Sequence, residues 1–148
     1  MTQIKTIYFS GGGTRGMAFV GAIKALEEYD LLNDIDTIIG VSIGSMMAAA
    51  VSFNIPWKYL KTLFMTFNVT TCANIEVEHI LDKFGLDNGK KFMTIFLKIM
   101  KKYAGSTTMT FKEHYEKTGK RLIISSACVN DQSTHYFDYQ NTPNLKIV

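Results

Sequence analysis

The sequence predicts an α/β fold, and one pattern stated twice carries that prediction: a short apolar strand, a glycine-bearing turn, then a helix. The first copy runs from IKTIYFS (residues 4–10) through GGGTRG (11–16) into residues 16–29, which show helical spacing at Met17, Val20, Ile23, Ala25, Leu26 and Tyr29. The second runs from DTIIGV (36–41) into a small-residue helix over 43–53. A third observation bounds the size. The chain has 148 residues, 47% of them apolar, with two prolines, which suits one compact core and one domain over residues 1–148.

The remaining elements follow in order. Pro56 sits where a helix running to about residue 67 would have its first turn, and Asn74 precedes a helix over 75–84, with Glu76 and Glu78 near its positive end. Asn88-Gly89 is a turn signal, and residues 90–103 (KKFMTIFLKIMKKY) read as a helix. Thr110 and Glu113 have the spacing of a capping box for a helix through 118, which Gly119 ends. Residues 121–129 (RLIISSACV) read as a buried strand, 130–133 as a turn formed with Asp131, and 134–139 (THYFDY) as the returning strand of a hairpin. The last five residues, NLKIV, stay apolar where a finished domain more often frays into polar ones, so the chain reads as a fragment.

Charge and composition exclude some partners. The formal net charge is +3, and the lysines are scattered, so no stripe matches a nucleic-acid backbone and nucleic acid is not an expected partner. Residues 90–103 have basic ends and an apolar middle that would suit an anionic membrane surface, although a core-facing helix is the preferred reading. Neither an apolar leader nor a run of about 18 apolar residues is present, so the expected location is cytoplasmic or peripheral to a membrane. Cys72 and Cys128 lack C-x-x-C spacing and read as free thiols, and no metal or cofactor is expected.

Two turns carry chemistry. Gly11-x-Gly13-x-x-Gly16 between strand and helix matches a dinucleotide fingerprint, but that reading needs an acid near the end of the next strand. Asp34 and Asp36 lie at that strand's beginning; its far end reads Gly40-Val41-Ser42-Ile43-Gly44. This is G-x-S-x-G between strand and helix, the context of a nucleophile elbow, in which Gly40 and Gly44 make room for a strained turn that raises the Ser42 hydroxyl above the sheet. Ser45 lies inside the helix and ranks well below Ser42. A serine that attacks an ester needs N–H donors aimed at the developing oxyanion. The turn of Gly11, Gly12, Gly13, Thr14, Arg15 and Gly16 can supply them, with the Arg15 side chain anchoring the turn or an anionic head group.

With both turns in this order, the chain resembles the patatin-like phospholipases: GGGTRG matches their oxyanion turn and GVSIGS their elbow, while the later strands match in character. The resemblance implies a three-layer α/β/α sandwich with a mainly parallel sheet. It also implies hydrolysis of lipid or phospholipid acyl esters at a membrane surface by a Ser-Asp dyad, with no metal in the chemical step. Consistent with a dyad, His79, His114 and His135 lie in expected helices or an alternating strand and read as surface or core-edge residues. The family's dyad aspartate stands in an Asp-Gly pair, and none occurs in these 148 residues. Asp138 is the fallback acid. The competing expectations are a catalytically silent lipid-binding or interaction module of the same fold and, behind it, a nucleotide-binding domain.

Overall fold

The computed structural model describes residues 4–66 and 89–148. The helix expected at 75–84, with Cys72, Asn74 and His79, lies outside the described residues. The elements are β1 (Thr6–Phe9), a 3-10 turn (Gly13–Met17), α1 (Ala18–Glu28), β2 (Thr37–Val41), α2 (Ile43–Ser52), α3 (Trp57–Thr66), α4 (Lys90–Ala104), α5 (Phe111–Thr118), β3 (Arg121–Cys128) and β4 (Ser133–Phe137).

The fold is α/β, with one four-stranded sheet in the order β1-β2-β3-β4. β1, β2 and β3 are mutually parallel, and β4 returns antiparallel to β3 as a hairpin. Parallel pairing needs crossovers, and α1 supplies the first while α2 to α5 lie in the second. Because β1 and β2 run the same way, the turn after each emerges at the same edge of the sheet. That is the edge where ligands meet open α/β sheets.

Register sorts the side chains into two faces. Ile7, Ile38 and Leu122 share one face with Phe9, Gly40, Ile124 and Phe137. This face meets the core, where Val20 and Ile23 of α1, Met47 to Val51 of α2, Leu60 of α3, Ile99 and Met100 of α4 and Phe111 of α5 are buried. Each fully buried aliphatic side chain contributes about 2 kcal/mol of apolar transfer. The opposite face carries Tyr8, Ile39, Val41, Ile123, Ser125 and Tyr136, and it is half covered, with Tyr8 and Tyr136 each 57% exposed.

Several local expectations meet the structure with small differences. The helix after the glycine turn starts at Ala18, two residues later than the periodicity suggests, because residues 13–17 close into a 3-10 turn in which the Arg15 amide donates to the Gly12 carbonyl at 3.2 Å. A glycine-rich run gains least from α-helix formation, so the tighter turn competes there. The capping box of α5 is complete: the Glu113 amide donates to Thr110 Oγ1 and the Thr110 amide to Glu113 Oε2, at 3.2 and 2.8 Å. Gly119 then ends the helix at a φ of +68°. Helix α4 buries Ile99, Met100 and Ala104, as a core-facing helix does.

Candidate active site

Ser42 stands between the last residue of β2 and the first of α2, with φ 55° and ψ −125°. A non-glycine residue in this region costs on the order of 1–3 kcal/mol, so the surrounding structure has to hold it there. Gly40 and Gly44 show how. A Cβ on Gly44 would overlap the Phe9 carbonyl oxygen and stand 2.6 Å from Ser10 O. One on Gly40 would stand 2.5 Å from both Gly44 O and Ser45 Cα. Side chains at either position would push α2 off the ends of β1 and β2 and release the turn.

The elbow leaves the serine hydroxyl available. Ser42 is exposed, and although it occupies the N-cap position of α2, its side chain makes no capping hydrogen bond. The first amides of α2 have no helical acceptor ahead of them, so the hydroxyl sits at the positive end of a helix, where negative charge is favoured. Ser45 differs in kind. Its Oγ is buried without a hydrogen-bond partner among the described residues, and its amide closes the first turn of α2 on the Ser42 carbonyl at 2.8 Å.

The glycine turn lies directly against this elbow. A Cβ on Gly11 would be 3.6 Å from the Ser42 Cβ and 3.8 Å from Val41 O. Gly12 is extended at φ 175° and Gly13 is left-handed at φ 56°, so the backbone of Gly13 and Thr14 opens a new helical turn whose first amides have no acceptor within it. The Arg15 amide, in contrast, is engaged with Gly12 O, and its side chain is exposed. Gly16 is buried against Ile43, with room for no Cβ: an added one would meet Ile43 Cγ2 at 2.9 Å. Within 11–16 the roles therefore separate. Gly13 and Thr14 offer amides, while Gly11 and Gly16 allow the turn to approach the elbow.

Asp138, the fallback acid, has a structural position instead. Its carboxylate is 1% exposed; Oδ2 accepts from Arg121 Nε at 2.9 Å and pairs with Nη2, while Oδ1 accepts the Gln140 and Asn141 amides at 2.9 and 2.7 Å. Burial works against its charge, yet the Asn141 amide, Arg121 and the Gln140 amide together hold the carboxyl below its ordinary range. Asp138 follows the end of antiparallel β4 and binds the first residue of β3. Ser42 follows the end of β2, whose Val41 pairs with Ser125. The acid thus faces the other end of the sheet, two strands away, or about 10 Å across the strands alone.

His114 departs from the surface or core-edge expectation: it is fully buried, with its ring edge-on to Phe53. Ser52 Oγ donates to Ala49 O at 2.8 Å and so accepts from His114 Nε2–H at 3.0 Å. Nδ1 has no partner among the described residues, and burial lowers the imidazole pKa from 6.5 to about 4. Residue spacing could not reveal a pair 62 positions apart. Glu27 was equally hidden: Oε1 accepts the Trp57 amide at 2.8 Å and caps α3 from α1.

Comparison with known proteins gives the family and the fold. The family model described as Patatin-like phospholipase matches residues 7–147. The chain is 31% identical to "Probable lipid hydrolase 463L" of Invertebrate iridescent virus 6, over 97% of this chain and 50% of that protein. It is also 31% identical to "Triacylglycerol lipase 5" of Saccharomyces cerevisiae, over 85% of this chain and 18% of the relative. The chain spans half or less of these relatives. Among solved structures, ExoU from the type III secretion system of Pseudomonas aeruginosa, in complex with SpcU, superposes with a TM-score of 0.75 at 20% identity, covering 98% of this chain and 36% of that one. VipD from Legionella pneumophila gives 0.69 at 14%, covering 99% and 41%. These two likenesses concern the fold. With its strand-to-helix elbow, its adjoining glycine turn and a family match running from β1 to the penultimate residue, the chain belongs to the patatin-like phospholipase family.

Proposed function

We propose that this chain provides the nucleophile and oxyanion turn of a serine lipid acyl hydrolase. The observation that carries the reading is the strained, uncapped Ser42 with the glycine turn against it. Ser42 Oγ attacks the acyl carbonyl carbon, and its proton passes to the dyad aspartate. The carbonyl oxygen becomes an oxyanion that the Gly13 and Thr14 amides stabilise. Collapse of the tetrahedral intermediate breaks the ester C–O bond, the alcohol leaves with the proton, and water then cleaves the acyl-Ser42 ester to the free acid. One oxyanion donor is worth about 3 kcal/mol in such a step.

A lipid substrate at a membrane surface is supported by the family and by an apolar groove between α1 and α3. It measures about 310 Å3 and has Met17, the last residue of the 3-10 turn, with Lys24 and Lys61 among its lining. A hydrocarbon chain suits its walls and an anionic head group its lysines. No helix among the described residues is long and apolar enough to cross a membrane.

The dyad aspartate is the remaining part. With no Asp-Gly pair in the sequence and Asp138 held by Arg121, neither acid expected from the sequence is placed as the base that contributes about 100- to 10,000-fold. The absence of that pair favours, as a second reading, a silent lipid-binding module. Hydrolysis of a short-chain ester separates them. The 148-residue chain should show little turnover, and a chain extended by a strand bearing an Asp-Gly pair should turn over and lose activity with Ser42→Ala. Failure of the extended chain would support the silent module.

A further inference from the structure

Three side chains remote from Ser42 in sequence converge at the tip of the β3–β4 hairpin. Cys128 ends β3, Asp131 lies in the turn and His135 is on β4; the thiol sulfur, a carboxylate oxygen and a ring nitrogen lie within 4.8 Å of one another. The sheet arranges two of them. Ser126 pairs with His135 and Cys128 with Ser133, so Cys128 and His135 are diagonal neighbours on one face. The turn arranges the third. Gln132 adopts φ 55°, and Asp131 Oδ1 accepts both the Ser133 amide at 3.0 Å and Ser133 Oγ at 2.8 Å.

Those two bonds complete the turn-forming work of Asp131 with one oxygen. They also fix the carboxylate plane, so that Oδ2 faces the His135 ring, with Nε2 at 2.7 Å, while the Cys128 sulfur lies within 4.8 Å of both. A turn alone does not need a thiol and an imidazole on the carboxylate. The donor set does have a chemical identity: soft sulfur, borderline nitrogen and one anionic oxygen, the last already oriented by the Ser133 hydrogen bonds as metal-ligating carboxylates are.

We propose that this hairpin tip binds a divalent ion of the zinc type through Cys128 Sγ, Asp131 Oδ2 and His135 Nε2, with the fourth position open to solvent. Tetrahedral zinc holds such donors about 2.0–2.3 Å away, and hence about 3.3–3.7 Å from one another, so small side-chain rotations suffice. Binding releases the Cys128 proton and moves the remaining imidazole proton to Nδ1. One thiolate and one carboxylate then balance the ion's two charges. The hard ions magnesium and calcium gain little from sulfur and nitrogen and should not compete. The ion would tie β4, an edge strand, to β3 independently of Ser42 chemistry.

The test is a cobalt titration of the chelator-treated 148-residue chain, followed optically. The expected result is one equivalent bound with a thiolate-to-cobalt charge-transfer band that zinc removes and magnesium does not. Cys128→Ser should abolish the band, His135→Gln and Asp131→Asn should weaken binding at least about tenfold, and Cys72→Ser should leave both unchanged. Circular dichroism checks that each variant is folded. If Cys128→Ser does not fold, the other three variants decide. Absence of the band, its loss in Cys72→Ser, or binding insensitive to His135→Gln and Asp131→Asn would overturn the site.

Discussion

Gly44 packs so tightly on Phe9 that a Cβ at residue 44 would overlap the Phe9 carbonyl oxygen. Helix α2 is therefore docked by backbone onto the end of the neighbouring strand, and Ser42 inherits its position from that contact. Gly44→Ala should destabilise the fold by several kcal/mol or prevent its accumulation, since rigid backbone cannot yield. Gly21→Ala, in α1 with nothing within 4 Å of an added Cβ, should be neutral or stabilising by up to about 1 kcal/mol. Urea unfolding of the two variants makes the comparison; equal effects would contradict the docking account.

Gly13 combines a left-handed φ of 56° with open space around its missing side chain. Gly13→Ala should cost about 1 kcal/mol of stability through backbone strain alone. In a form carrying the dyad acid, kcat should fall about 100-fold or more with KM much less changed, because a Cβ drives residue 13 away from its left-handed φ and turns its amide off the oxyanion, which forms only in the transition state. Steady-state kinetics on folded variant measures this. Unchanged kcat would remove the turn from the chemistry.

His114 sets a pH dependence of stability. Its folded pKa of about 4 lies below its unfolded value of 6.5, so between these values the unfolded chain binds the additional proton. Stability should be full above about pH 6.5 and fall as the pH drops towards 4, by about 3 kcal/mol in total. Protonation would place an N–H on the unpartnered Nδ1 inside an apolar core. Urea midpoints across this range should show a smaller slope in His114→Gln than in the parent; identical slopes would assign the titration elsewhere.

Asp138→Asn should destabilise by about 3 kcal/mol, because Arg121 then loses the charge it is paired with in a partly desolvated setting. The effect should shrink as the pH falls below the ordinary carboxylate value of 3.8 and through the lowered folded value, where the parent loses the same charge. Ester turnover per folded molecule in an acid-bearing form should be unchanged. A selective loss of kcat without loss of stability would give Asp138 a catalytic role.

The parts of this molecule readable from sequence are those whose causes are local. Glycines at fixed offsets around Ser42, the Thr110–Glu113 capping box and the period-two hairpin state their geometry within a few residues. The 3-10 turn at Gly13–Met17 was hidden because helical periodicity in Met17 and Val20 extends smoothly into it. Long-range partners were hidden for a different reason. His114 with Ser52, Glu27 with the Trp57 amide and Arg121 with Asp138 are joined by packing across 62, 30 and 17 residues, where spacing carries no signal. Cys128 was hidden for a third reason: Asp131 and His135 are near it in sequence but outside the C-x-x-C pattern, and the three converge only when the hairpin closes.

The central claim is that Ser42 is the nucleophile, and covalent trapping addresses it most directly. A folded form carrying the dyad acid is incubated with a fluorophosphonate and the adduct is located by peptide mass spectrometry, with Ser42→Ala treated in parallel. Among the described serines, only Ser42 combines exposure, an uncapped hydroxyl and a helix N-terminus facing the glycine turn. The account predicts a single adduct on Ser42 and none in the variant. An adduct on Ser45, or modification undiminished in Ser42→Ala, would contradict it.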